Sequence, residues 1–297
     1  MKIFLDCIPC FLMQALDACR IATVDPVVHE RIIRRVLHGL GDIPFDDSPP
    51  QMGAIIHRIV REETGHPDPY HPVKARFNRL AQGLLPILRN KIESCDDPFA
   101  AAVRVAVSGN IIDFAQGTGL DESEVETAID DSLSQVFDID HLARLEAALD
   151  GASSILYLGD NAGEIVLDRL LLQQLPKDIV TFVVRGAPVI NDATIEDAEA
   201  AGLTELVEVI DNGSDIPGTV LEECSPAFVK RFQEADIVIS KGQGNYETLS
   251  DAGREVFHLL KVKCPVIARD IGCPVGSRVV LQKKPNSFRT TERGPGR

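Results

Sequence analysis

The sequence predicts an α/β protein: a Rossmann-like, mostly parallel sheet with helices on both faces, plus an N-terminal all-helical region. Three observations carry this. Up to about residue 150, apolar residues recur at helical spacing with no comparable strand pattern. From Gly151 onward, short runs rich in β-branched residues alternate with helical stretches of roughly 10 to 16 residues. The chain is also long enough, at 297 residues with 44% hydrophobic and 25% charged, to bury a core in one large domain or two ordinary ones.

In chain order, Cys7-x-x-Cys10 stands at the start of the first helix. Asp25-Pro26 opens the next, with Val28, Ile32, Ile33, Val36, Leu37 and Leu40 on one face. Asp satisfies free N–H groups and Pro fits the first turn. Ser48-Pro49 opens a segment ending at Gly65, and Asp97-Pro98 opens another that runs through Gly109 and Asn110. Asp121 with Glu124 makes a capping-box pattern. The strand candidates follow: Ser154–Leu158, Ile179–Val184, Leu206–Ile210, Asp236–Ser240, Val266–Arg269 and Val279–Leu281. Helices between the first of these imply right-handed crossovers and a parallel sheet. This divides the chain into a helical domain at 1–150, acting as a lid-like cleft wall, and an α/β domain at 151–283. Residues 284–297, nearly devoid of apolar side chains, read as a disordered tail.

A net charge of −15 argues against general nucleic-acid binding, which needs a basic face. No apolar run approaches the roughly 20 residues of a membrane span, and Asp6 interrupts the N-terminus too early for a signal peptide. A cytoplasmic location is expected. In a reducing compartment the seven cysteines are thiols, metal ligands or redox groups, not a disulfide framework. Oligomeric state is not legible.

Ligands of an open parallel sheet bind beyond the carboxyl ends of the strands. Four successive strands here end in polar, Gly-containing loops: Gly159 to Glu164, Arg185 to Asp192, Asp211 to Gly213, and Lys241 to Glu247. Asp160, Asn161 and Asp192 can supply oxygens to a hard divalent cation. Lys241 and Arg185 can neutralise phosphoryl oxygens, with Asn191 in the same loop. Gly163, Gly242 and Gly244 allow backbone N–H groups to approach an anion. Each Asp or Asn can equally be a helix cap or turn former; four such loops at one edge favour a site. The dinucleotide and Walker glycine patterns are absent, as is an Asp-x-Asp nucleophile pair after the first strand.

These loops resemble the metal-dependent damage-control phosphatases, the family catalogued as domain of unknown function 89, over about residues 1 to 283. The matching motifs begin with Asp6-Cys7-Ile8-Pro9-Cys10, Thr64 to Tyr70, and Gly109 to Phe114. They continue with Gly159 to Glu164, Arg185 to Asp192, and Lys241 to Glu247. The paired cysteines resemble the archaeal and bacterial branch. Gln243 stands where some branches carry aspartate. The resemblance implies a divalent metal (Mn, Co, Ni or Mg) held by Asp160, Asn161 and Asp192, with Lys241 and Asn245 near the phosphate. The implied substrates are small phosphomonoesters, sugar phosphates or damaged metabolites, hydrolysed by metal-activated water. Glu164 is the candidate general base. Asn110 and Asp113 share a helical face; that face either lines the cleft or satisfies neighbouring backbone groups.

Cys7, Cys10, Cys264 and Cys273 are candidates for a structural metal or a redox pair, against the alternative of unmodified buried thiols. Two other functions compete with phosphatase: an S-adenosylmethionine-dependent carboxyl methyltransferase, and a non-enzymatic metal- or metabolite-binding protein.

Overall fold

The computed structural model describes residues 1–108 and 122–285. Asn110 and Asp113, Asp121 of the capping box, and the tail from 286 onward lie outside the described residues.

The N-terminal half begins α1 (Cys7–Ala22), α2 (Pro26–Gly41), α3 (Pro49–Thr64), α4 (His71–Glu93), α5 (Pro98–Val107) and α6 (Glu122–Ser134). Their starts follow local chemistry. Asp25 accepts the Val27 N–H at 2.9 Å, Ser48 and Gln51 form a capping box, and Asp97 accepts the Ala100 N–H at 2.9 Å. Gly65, at φ 70°, ends α3 in the left-handed conformation that glycine adopts without strain.

Then come β1 (Ile139–Asp140), α7 (Leu142–Leu149), β2 (Ile155–Leu158), α8 (Glu164–Leu172), β3 (Val180–Val184), α9 (Ile195–Ala200) and β4 (Glu208–Asp211). The chain continues through α10 (Pro226–Glu234), β5 (Ile237–Lys241), α11 (Gly242–Leu249), β6 (Val256–Lys261), α12 (Pro265–Ile271) and β7 (Arg278–Lys283). The seven strands form one sheet in the order β1-β7-β6-β5-β2-β3-β4, parallel except for the β6–β7 pair. From β2 the chain moves outward through β3 and β4, then returns to the other side of β2 as β5 and β6. The switch point therefore lies between β2 and β5, where such sheets open a crevice.

Three sequence expectations need correction. The stretch 266–269, expected as a strand, lies in α12. Cys264 caps it by accepting the Ile267 N–H, Pro265 occupies its first turn, and Gly272 at φ 84° ends it. A short apolar run fits either element, and these caps decide for helix. The strand at this place is β6, a continuously buried run whose polar His258 breaks the pattern. The third correction is β1, whose two residues pair with β7 inside the region read as purely helical.

Residues 1–150 serve two layers. The α1–α3 helices share a core of their own, including Phe11, Ala15, Ile32, Val36, Ile56 and Val60. In contrast, α4 and α5, joined by α8 of the C-terminal half, cover one face of the sheet, over Tyr157, Phe182 and Ile239. The opposite face buries Leu156, Val183 and Val238 against Phe228 and Phe232 of α10. The α3 helix is tied to the loops beyond β3 and β4: Arg61 donates to Pro188 O at 2.8 Å and to Asp215 at 2.6 Å, and Arg58 donates to Asp215 at 2.9 Å. These contacts hold the helical wall across the carboxyl edge of the sheet.

Candidate functional site

Between that wall and the sheet edge lies a cavity of about 960 Å³. Asp160, Asn161, Glu164, Asn191, Asp192, Lys241, Gly242 and Gly244 all line it, so loops remote in sequence meet at the switch point. Two backbone bonds knit the first two loops together: Ala162 N–H to Asn191 O and Ala193 N–H to Asp160 O, both 2.8 Å. Asn161 and Asp192 pair as an isolated bridge. Ile190, next to this bridge, has φ 46°. A β-branched residue pays for that conformation, so the surrounding contacts over-determine the loop.

Asp160 and Asp192 are within reach of one guanidinium. Arg185 Nε donates to Asp192 Oδ2 at 2.7 Å, and its Nη2 stands 3.9 Å from Asp160 Oδ1. Burial pushes both carboxyls up from their ordinary range. For Asp160 the nearby Asp192 and Glu164 add to the rise, while Arg185 and Lys263 oppose it. The Asn161 carboxamide donates at 3.1 Å to both Asp160 Oδ2 and Glu164 Oε1, filling a point where carboxylate oxygens converge. Gly242, at φ 79°, opens α11 hard against Asp160; a Cβ there would fall 1.8 Å from Asp160 Oδ2.

This donor set suits a hard cation: negative charge exceeds positive, and every donor is oxygen. Among the described residues no three His, Cys, Asp or Glu side chains by themselves form a metal-holding group. A cation held by Asp160 and Asp192 would need water and the Asn161 carboxamide turned to present its carbonyl, since its nitrogen now faces Asp160 and Glu164.

Several expected contacts fall elsewhere. Arg185 is 1% exposed and donates to Asp192 and to Asn245 Oδ1, at 3.3 Å, leaving its Nη1 buried without a hydrogen-bond partner among the described residues; it sits behind the aspartates and does not line the cavity. Asn245 is fully buried and saturated. It donates to Gly159 O at 3.0 Å and Lys241 O at 2.7 Å, and accepts from Arg185 and from Thr219 Oγ1 at 2.8 Å. It clamps the ends of β2 and β5 and has no group left for a phosphate. Lys241 lines the cavity, but its Nζ also donates to Asp168 Oδ1 at 2.6 Å.

Asp168, on α8, was missed in the sequence. It is fully buried and also accepts the Tyr157 hydroxyl at 2.9 Å. A lone acid inside the apolar run Ile165–Leu172 was the available signal. Asn78 of α4 was missed too: its Oδ1 accepts the Gly163 N–H at 2.7 Å and orients the turn before Glu164.

Among the described residues the four candidate cysteines do not come together as a metal-holding group. Cys7, Cys10 and Cys264 line the cavity, whereas Cys273 packs beyond α12 beside Ile267 and Val279. All seven are free, and burial pushes the Cys7 thiol up, away from thiolate reactivity.

The sheet is doubly wound, with an acidic, amide-rich crevice at its switch point, the place where sheets of this class take their ligands. The damage-control phosphatase ARMT1-like domain model matches residues 3–279, and the chain belongs to that family. Its relatives include a damage-control phosphatase of Archaeoglobus fulgidus, 35% identical over 94% of this chain and 98% of the relative. An uncharacterised protein of Methanocaldococcus jannaschii is 37% identical over 95% of this chain and 96% of its own length. The crystal structure of a family member from Pyrococcus horikoshii superposes with a TM-score of 0.88 at 31% identity, covering 96% of this chain and 100% of that one. No described helix is long and apolar enough to cross a membrane.

Proposed function

We propose that the chain is a divalent-metal-dependent phosphatase acting on small phosphomonoesters, sugar phosphates or damaged phosphometabolites among them. The observation that carries this reading is the pair of carboxylates, buried Asp192 and partly buried Asp160, sharing one guanidinium beside a lysine and the start of α11. The names of two relatives, both damage-control phosphatases, agree with the phosphatase part of this reading.

Asp160, Asn161 and Asp192 would hold the cation, which supplies Lewis acidity at the phosphoryl group and lowers the pKa of water. Lys241 has three N–H donors and gives one to Asp168; the others serve the phosphoryl oxygens that gain charge as the ester bond breaks. The first N–H groups of α11, at Gly242 to Gly244, add donors on the same side. Glu164 takes the proton of the attacking water. Asn191 flanks the phosphate, and the α1–α3 layer closes the opposite wall of the cleft. Manganese, cobalt, nickel and magnesium all suit oxygen ligands.

The test is phosphate release from p-nitrophenyl phosphate and a panel of sugar phosphates with each metal. Asp160→Ala should abolish metal-dependent turnover, and full activity in that variant would overturn the assignment.

A further inference from the structure

We propose that Glu247 reads the hydroxyl groups of the substrate, making it a specificity residue for polyol and sugar phosphates; this rests on the phosphatase function above. The α11 helix starts at the phosphate end of the cavity, where Gly242 abuts Asp160. Gln243 and Glu247, one turn apart, both line the cavity, while Asn245, Tyr246 and Leu249 turn inward and are buried. At 1.5 Å per residue, Glu247 stands about 7.5 Å along the axis from Gly242. That is about the reach of a phosphorylated pentose or hexose lying along the helix.

The Glu247 carboxyl is under-used. Its one hydrogen bond is long, 3.4 Å from Gln243 Nε2, and among the described residues it pairs with no lysine or arginine side chain. Gln243 is fixed in turn, because its Oε1 accepts the Lys263 N–H at 3.0 Å. The cavity wall facing this stripe includes Cys7, Cys10 and Gln14 of α1. Carboxylate and carboxamide groups together accept and donate to hydroxyls, while Lys261 and Lys263 are cationic side chains of the same lining. Enclosure by protein lifts the carboxyl to about 7, against the pull of Gln243 and the Met1 ammonium. A substrate hydroxyl would relieve that desolvation by hydrogen-bonding it. A site built around substrate hydroxyls strongly rejects the analogue that lacks them, since its own polar groups are then left unpaired.

The experiment compares kcat/KM for ribose 5-phosphate and 2-deoxyribose 5-phosphate in the wild-type chain, Glu247→Gln and Glu247→Ala, with melting curves to show that each variant is folded. The wild-type chain should prefer the fully hydroxylated substrate by about tenfold or more. The preference should shrink in Glu247→Gln and collapse towards unity in Glu247→Ala. A ratio that is the same in all three chains, or a parallel fall for both substrates, overturns the role of Glu247 alone. No turnover of either substrate by the wild-type chain with any divalent metal overturns the phosphatase function and this inference with it.

Discussion

Two groups of buried or partly buried acids at the same edge of the sheet are treated in opposite ways. Asp197, in the first turn of α9, receives four donors: Lys74 Nζ at 2.9 Å, Asn78 Nδ2 at 3.1 Å, and the Thr194 N–H and hydroxyl at 3.0 and 2.9 Å. Asp160 receives a carboxamide from its own neighbour and a guanidinium at 3.9 Å, and it shares that guanidinium with Asp192. A saturated acid fastens α4 and α9 together. Less saturated acids, crowded with like charge, carry the cation site proposed above. Burial alone marks neither; the balance of donors against charge does.

The largest test of this contrast is on catalysis. Asp192→Ala should lower kcat/KM with manganese by about 100-fold or more, measured on sugar phosphates with folding checked by circular dichroism. Activity near that of the wild-type chain would mean that the unsaturated acids are not the working ones.

The second test is on stability. Lys74 is 2% exposed and bridges Asp197 to Asp68, 2.8 Å away. Lys74→Met leaves two acids without their buried cation and should cost about 3–5 kcal/mol in denaturant unfolding. The metal-induced rise in melting temperature should survive, because the substitution leaves the Asp160 and Asp192 side chains in place. If Lys74→Met instead removes the metal response and spares stability, the roles of the two acid groups are reversed.

The same contrast explains what the sequence could show. Strand-end loops, caps and crossovers are local, so Asp25, Ser48 and Asp97 announced their helices, and the meeting of Asp160 with Asp192 followed from the sheet rule alone. Partnerships are not local. Nothing in the sequence distinguishes Asn245, which clamps two strand ends, from Asn161, which faces the cavity. Arg185 is seven residues from Asp192 and was expected to face a phosphate, yet the return of the loop turns it inward. Asp168 stands out as an acid among apolar residues, but its partner Lys241 is 73 residues away, so its role is not local. The 266–269 stretch was misread because caps outweigh β-branched content in so short a segment.

The finest test uses protons as the competing cation. The Asp160 carboxyl is held well above its ordinary 3.8, first by burial and then by Asp192 and Glu164. The folded chain therefore binds this proton more tightly than the unfolded chain does. Stability from this group is greatest below 3.8, falls as pH rises towards the raised folded value, and is fully lost above it. In Asp160→Asn that penalty is gone at every pH. Without metal at neutral pH the variant should melt about 3 °C above the wild-type chain, and the gap should close as the pH is lowered towards 4. Comparing the two chains cancels the titration of groups that do not interact with Asp160. Adding manganese at neutral pH should reverse the order, because the wild-type chain gains binding energy that the variant lacks. That gain should itself shrink on acidification, as protons displace the ion. An Asp160→Asn chain that melts below the wild type without metal, with a gap insensitive to pH, would place Asp160 among the saturated acids with Asp197.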